Sequence, residues 1–121
     1  MSAHASGFLA LVNDAKTRVR EVPASEMPQL LKKQPEIRLI DTREESEFAA
    51  GHLRDAIWLG KGIIERDIEA KIPDKNTPLY LYCGGGFRSA LAGDAIQKMG
   101  YTQVVSIDGG WRELKGILPV A

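Results

Sequence analysis

The stretch from Leu79 to Gly100 leaves this chain little freedom. Leu79-Tyr80-Leu81-Tyr82 is a short apolar and aromatic run, the pattern of a buried strand. It runs into Cys83-Gly84-Gly85-Gly86-Phe87-Arg88-Ser89, which holds the only cysteine in the protein. From Ala90 to Met99, Leu91, Ala95, Ile96 and Met99 are spaced for one helical face, and Gly100 is placed to end the helix. A strand that passes through glycines into a helix belongs to an α/β sheet, and the cysteine sits where one element gives way to the other.

That position has chemical consequences. The first N–H groups of a helix have no partner within it and face the incoming loop. Gly84, Gly85 and Gly86 let the loop turn further N–H groups inward. Such a cradle, with a helix dipole behind it, favours thiolate over thiol at Cys83. Arg88 adds a fixed charge and a fork suited to an oxyanion. The expectation is a nucleophilic thiolate in an exposed, positive bowl, with Gly84, Gly85, Gly86, Phe87 and Ser89 around the substrate. The plainer alternative is a buried cysteine acting as a small hydrophobe. Three glycines followed by an arginine at a helix start favour catalysis.

The rest of the chain repeats the strand–helix alternation. Phe8, Leu11, Val12, Ala15 and Val19 fall near one face of a helix over about 7–17, more readily packed on the domain than offered to a partner. Residues 1–5 are expected to be loose, and 1–20 to form an N-terminal extension. Strands are expected at 19–22, 37–40, 56–59 and 103–107, and helices from Ser25 to Lys33, Arg43 to Ala50, Ile63 to Ala70 and Trp111 to Lys115. Thr42 and Glu45 match a capping box, and Pro28 is tolerated in a first turn. Trp111 is expected to cover the core near the cysteine loop, and Trp58 to be core or a pocket wall. The pattern implies a mostly parallel sheet with helices on both faces.

Cys83-x-x-Gly86-x-Arg88-Ser89 resembles the active-site loop of the rhodanese family of sulfurtransferases. Asp41-Thr42-Arg43, Glu47-Phe48-Ala49-Ala50-Gly51-His52-Leu53 and Gly109-Gly110-Trp111 resemble other stretches of that family, in the same order, over about 22–116. The resemblance implies a three-layer α/β fold with a five-stranded central sheet in one domain spanning 1–121. It implies sulfane-sulfur transfer from an anionic donor such as thiosulfate, through a Cys83 persulfide, to cyanide, a thiol or a protein acceptor. Asp41, Arg43, Glu47 and His52 are then structural support: Asp41 and Arg43 brace loops and pair with charges such as that of Glu47, and His52 bonds loop backbone rather than moving protons. Lys61 and Arg66 match a segment that often carries a basic residue beside the site, although a solvated surface explains them nearly as well. Phosphatases of similar fold have five residues between the cysteine and the arginine, whereas this chain has four, Gly84 to Phe87. The narrower ring suits one sulfur atom better than a phosphoryl group. A non-catalytic persulfide-sensing or protein-binding module is the third reading. No metal or organic cofactor is implied.

Composition sets outer bounds. The 121 residues carry equal numbers of basic and acidic side chains, which argues against general affinity for nucleic acid or anionic membrane. A single cysteine makes no internal disulfide, and no zinc-ligand spacing occurs. No apolar run approaches a membrane span, and no secretory signal is read, so a reducing, cytoplasmic setting is expected.

Overall fold

The computed structural model describes residues 4–121. Five strands, β1 (Arg20–Pro23), β2 (Arg38–Asp41), β3 (Ile57–Trp58), β4 (Leu79–Tyr82) and β5 (Val104–Asp108), form one sheet in the order β1-β5-β4-β2-β3. Every strand pair is parallel. The helices are α1 (Ser6–Lys16), α2 (Met27–Lys33, entered by a 3-10 turn over Ala24–Glu26), α3 (Glu45–Ala50), α4 (Ile64–Lys71), α5 (Phe87–Lys98) and α6 (Gly110–Leu114). The expected loose segment at residues 1–5 lies, for 1–3, outside the described residues.

β4 is central, and all four of its residues are buried, as a parallel strand covered on both faces requires. The two-residue period of the strand divides them between two cores. Tyr80 and Tyr82 join Leu39, Val105, Ile107, Met27 and Leu114 on one face. Leu79 and Leu81 join Ile40, Val104, Ile64, Ile68, Ala92 and Ile96 on the other. Along β5 the same period puts Val105 and Ile107 on the first face, so Ser106 points with Val104 toward α5.

Several local expectations change. α5 begins at Phe87, three residues earlier than the apolar spacing indicates. Its deepest face is Ser89, Ala90, Ala92, Gly93 and Ile96, while Leu91, Ala95 and Met99 are only half-buried. The reason is that α1 packs on α5 and the turn after α1 comes so close that a Cβ on Gly93 would meet Val19 Cγ1 at 3.1 Å, with Val104 Cγ1 of β5 at 3.2 Å. Small residues, not large ones, mark that face. On α1, Val12 and Ala15 are buried as expected, but Leu11 is 62% exposed. Arg18, just after α1, fixes the packing through a forked ion pair with Asp94 of α5 at 2.8 and 2.9 Å.

α3 starts at Glu45 rather than Arg43. Its capping box is made by Glu44 and Glu47, not by Thr42 and Glu45. The Thr42 hydroxyl instead donates to the Tyr82 carbonyl at 2.9 Å, tying the end of β2 to the end of β4. No helix among the described residues is long and apolar enough to cross a membrane.

Candidate active site

Cys83 follows β4 at the carboxyl edge of the sheet, between the ends of β2 and β5. This edge is where open parallel sheets receive ligands. The loop from Cys83 to Gly86 is held from outside by α6. The amides of Gly109, Trp111 and Arg112 donate to the carbonyls of Gly85, Cys83 and Gly84 at 3.3, 2.7 and 3.3 Å. A trans peptide carries its C=O and the next N–H in opposite directions. Three carbonyls drawn toward α6 therefore turn the amides of Gly84, Gly85 and Gly86 the other way, and those of Gly85 and Gly86 act on the cysteine sulfur.

This docking requires glycine at Gly110. Its φ is +49°, and a Cβ there would strike the Cys83 carbonyl oxygen and approach Gly84 C to 2.9 Å. Gly86, at φ +113°, closes the loop as the N-cap of α5, and its amide donates to Cys83 Sγ at 3.1 Å. The Gly-Gly-Trp stretch thus sets the orientation of the cysteine loop. Trp111 also covers the core as expected, stacked near Tyr82 at 6.5 Å between ring centroids.

Cys83 is buried, with 1% of its surface exposed, so the expected exposed bowl is corrected to a deep one with the sulfur on its floor. Burial pushes the thiol pKa up. The Ser89 hydroxyl and the amides of Ser89, Gly86 and Gly85 outweigh that and hold it below the usual thiol value. Ser89 Oγ lies 3.6 Å from Sγ and 2.8 Å from Ser106 Oγ, and both serines are fully buried. Ser89 is thus placed beside the sulfur as the sequence suggests, whereas Ser106 carried no signal except its polarity at a core position of β5.

Arg88 stands on the first turn of α5, and its guanidinium is engaged. It donates to both Glu47 oxygens, at 2.7 and 3.3 Å. This pair raises the Arg88 pKa and lowers that of Glu47. Glu47 therefore holds Arg88 and makes no hydrogen bond to the Asp41–Arg43 pair, a correction to its expected partner. Asp41 and Arg43 are both buried and bonded to each other at 2.7 Å. Arg43 also donates to the Gly51 carbonyl at 2.6 Å and lies 4.5 Å from the Trp111 ring centroid. Burial lowers the Arg43 pKa and the Asp41 carboxylate overcomes it, leaving the group raised. His52 stacks on Phe48 with centroids 3.7 Å apart and donates from Nδ1 to the Phe48 carbonyl at 2.9 Å. The Trp58 indole donates to the Arg43 carbonyl at 2.8 Å.

Above Cys83 opens a cavity of about 310 Å³. Its floor and near wall are Cys83, Gly84, Gly85, Phe87 and Arg88. The remaining walls were not legible as such: His4 and Phe8 from the N-terminal segment, and Arg112 from α6. Lys61 and Arg66 are not brought to it. Lys61 lines a separate groove with Leu11, Leu91 and Lys98, and Arg66 is exposed and paired with Asp67 at 2.7 Å. Both follow β3, and the two-residue β3 lies at the sheet edge farthest from β5 and α6.

A central parallel strand that delivers a cysteine into a ring of amides is an arrangement suited to nucleophilic chemistry. The chain belongs to the Rhodanese-like domain family, which matches residues 23–116. It is 33% identical over 79 residues to the uncharacterized protein YqhL of Bacillus subtilis, covering 65% of this chain and 61% of YqhL. It is 31% identical over 70 residues to the thiosulfate sulfurtransferase PspE of Escherichia coli, covering 58% of this chain and 67% of PspE. A Rhodopseudomonas palustris protein of unknown function, described as a possible tyrosine phosphatase, shares the fold with a TM-score of 0.85 at 23% identity, over 100% of this chain and 99% of that one.

Proposed function

We propose that the protein is a sulfurtransferase that carries a sulfane sulfur on Cys83. The observation that carries this reading is the donor ring: amides and a hydroxyl converge on a sulfur that forms the floor of a cavity. The 31% identity to a thiosulfate sulfurtransferase supports it.

In the first half-reaction the Cys83 thiolate attacks the outer sulfur of thiosulfate. The bond between the two donor sulfurs breaks, and its electron pair leaves with sulfite. Cys83 then bears a persulfide whose terminal sulfur holds the negative charge, and the amides of the loop from Cys83 to Ser89 are the donors that would stabilise it. In the second half, cyanide or a thiol attacks that terminal sulfur. The S–S bond breaks toward Cys83, and the thiolate returns. Covalent storage gives ping-pong kinetics.

Intact-mass measurement tests this directly. Incubation with thiosulfate should add one sulfur atom to the chain, and cyanide should remove it as thiocyanate. Cys83→Ser should take up no sulfur while unfolding like the parent protein. Phosphoester hydrolysis without sulfur loading would replace this reading with the phosphatase one. A persulfide that no acceptor discharges would leave a sensor.

A further inference from the structure

The pocket over Cys83 holds two guanidinium groups in different states. Arg88 is already forked onto Glu47 at 2.7 and 3.3 Å. Arg112 has no ion pair or side-chain hydrogen bond among the described residues, and its Nη1 lies 3.5 Å from where a Gly85 Cβ would stand. Among the described residues, the unpaired guanidinium lining the cavity is therefore that of Arg112. The same pocket is lined by a trio of rings. His4 and Phe87 meet edge-on with centroids 4.6 Å apart, His4 and Phe8 lie 5.3 Å apart, and Phe8 and Phe87 lie 6.2 Å apart. Lys16 Nζ sits 5.0 Å from the Phe87 centroid and steadies that ring.

A small inorganic anion satisfies only half of this surface. Thiosulfate is charged and hydrated on every side and leaves the ring wall in water, where apolar area is unfavourable. The cavity, at about 310 Å³, lies within the size range that buries an organic ligand.

We propose, resting on the sulfurtransferase reading, that the donor is an organic sulfane-sulfur anion. Its apolar, ring-sized body lies on the His4–Phe8–Phe87 wall, and its oxyanion head is bound by Arg112. For a thiosulfonate, R–SO2–S⁻, the Cys83 thiolate attacks the terminal sulfur. The S–S bond breaks, and the sulfinate R–SO2⁻ leaves with the electron pair while still facing Arg112. Charge is conserved, and no oxidant or reductant enters. Phe8 and Arg112 thus set specificity, and α1, whose packing on α5 is fixed by Arg18, brings Phe8 to the site.

The test compares benzenethiosulfonate with methanethiosulfonate, which share the reacting head, at fixed cyanide so that only the donor half-reaction varies. The intact protein should favour the benzene compound in kcat/KM by roughly tenfold, the scale of burying a few carbons. Phe8→Ala should shrink that ratio to about twofold, and Phe8→Leu, which keeps apolar volume, should restore most of it. Arg112→Ala should raise KM for both donors by about tenfold, the scale of a charge-assisted hydrogen bond, with Arg112→Lys recovering part. Equal use of the two donors by the intact protein overturns the apolar-body assignment, and an unmoved KM in Arg112→Ala overturns the anion assignment. Both results leave sulfur transfer standing. Failure of every donor, thiosulfate included, to add a sulfur by mass would overturn the sulfurtransferase reading and this proposal with it.

Discussion

Ser89→Ala removes the hydroxyl 3.6 Å from Cys83 Sγ while leaving the backbone donors of Ser89, Gly86 and Gly85 in place. The ring then loses one donor to a charged sulfur. Hydrogen bonds to charged groups contribute about 1.5–3 kcal/mol, and the long O···S distance puts this one at the low end. One pKa unit corresponds to about 1.4 kcal/mol, so the Cys83 pKa should rise by about one unit. Ser106→Ala acts only through Ser89, at 2.8 Å. The Ser106 hydrogen has Ser89 as its only side-chain acceptor among the described residues, so Ser106 donates to Ser89 and polarises the hydroxyl aimed at the sulfur. Such polarisation is worth about 10–30% of a bond. Ser106→Ala should therefore raise the pKa by only a few tenths of a unit.

The assay is the rate of alkylation by iodoacetamide across pH. In Ser89→Ala the acid limb should shift about one unit to higher pH. The plateau should rise rather than fall, because a more basic thiolate is the better nucleophile: at a Brønsted slope of about 0.4–0.5, one unit gives about threefold. Structural damage would not produce that pair of changes. An unmoved acid limb, or a Ser106→Ala shift as large as that of Ser89→Ala, would refute the hydroxyl chain.

Glu47→Gln keeps an acceptor for the Glu44 amide but frees Arg88, so the KM for thiosulfate should fall in steady-state kinetics. The same variant should lose about 0.2–1 kcal/mol by urea unfolding at neutral pH, a partly exposed pair being well screened. Because the Glu47 pKa is lowered by folding, that contribution is present above the ordinary carboxylate range and is lost as pH falls through the folded value, so the two unfolding curves should converge in acid. Arg43→Met leaves Asp41 buried without its partner and should cost about 3–5 kcal/mol in the same measurement. Gly110→Ala drives a methyl into the Cys83 carbonyl, so α6 must withdraw from the loop; alkylation of Cys83 should slow at neutral pH even where the protein stays folded.

The alternation of elements and the cysteine loop could be read because each has a local cause. β4 shows its burial as an unbroken apolar run, and the loop shows its curvature as glycines. What could not be read depends on who packs against whom. The buried face of α5 is built from alanine, glycine and serine because α1 crosses it, and no periodicity of large residues records that crossing. Glu44 displaced Thr42 as the cap of α3 because the Thr42 hydroxyl found the Tyr82 carbonyl across the sheet. Arg112 and Phe8 lie 29 and 75 residues from Cys83 in sequence and meet it only through the fold. Ser106 alone left a trace, as the one polar residue between buried valines and an isoleucine in β5.

The groups bonded to the cysteine sulfur are dipoles rather than charges. Arg88 is committed to Glu47, and the donors nearest the sulfur are amides and a hydroxyl, each fixed by a bond elsewhere. Neutral donors of this kind can serve a thiolate and a persulfide alike, because neither species must trade ions with solvent when the sulfur arrives or leaves. They are also buried, where salt screens little. Among the described residues the unpaired charge lies at the rim, on Arg112, where in the proposed reaction it would meet the incoming donor and not the stored sulfur. On the proposed reading, the groups that would hold sulfur are insulated from those that would choose its source. The rim and its aromatic wall can therefore change their preference without altering the reactivity of Cys83.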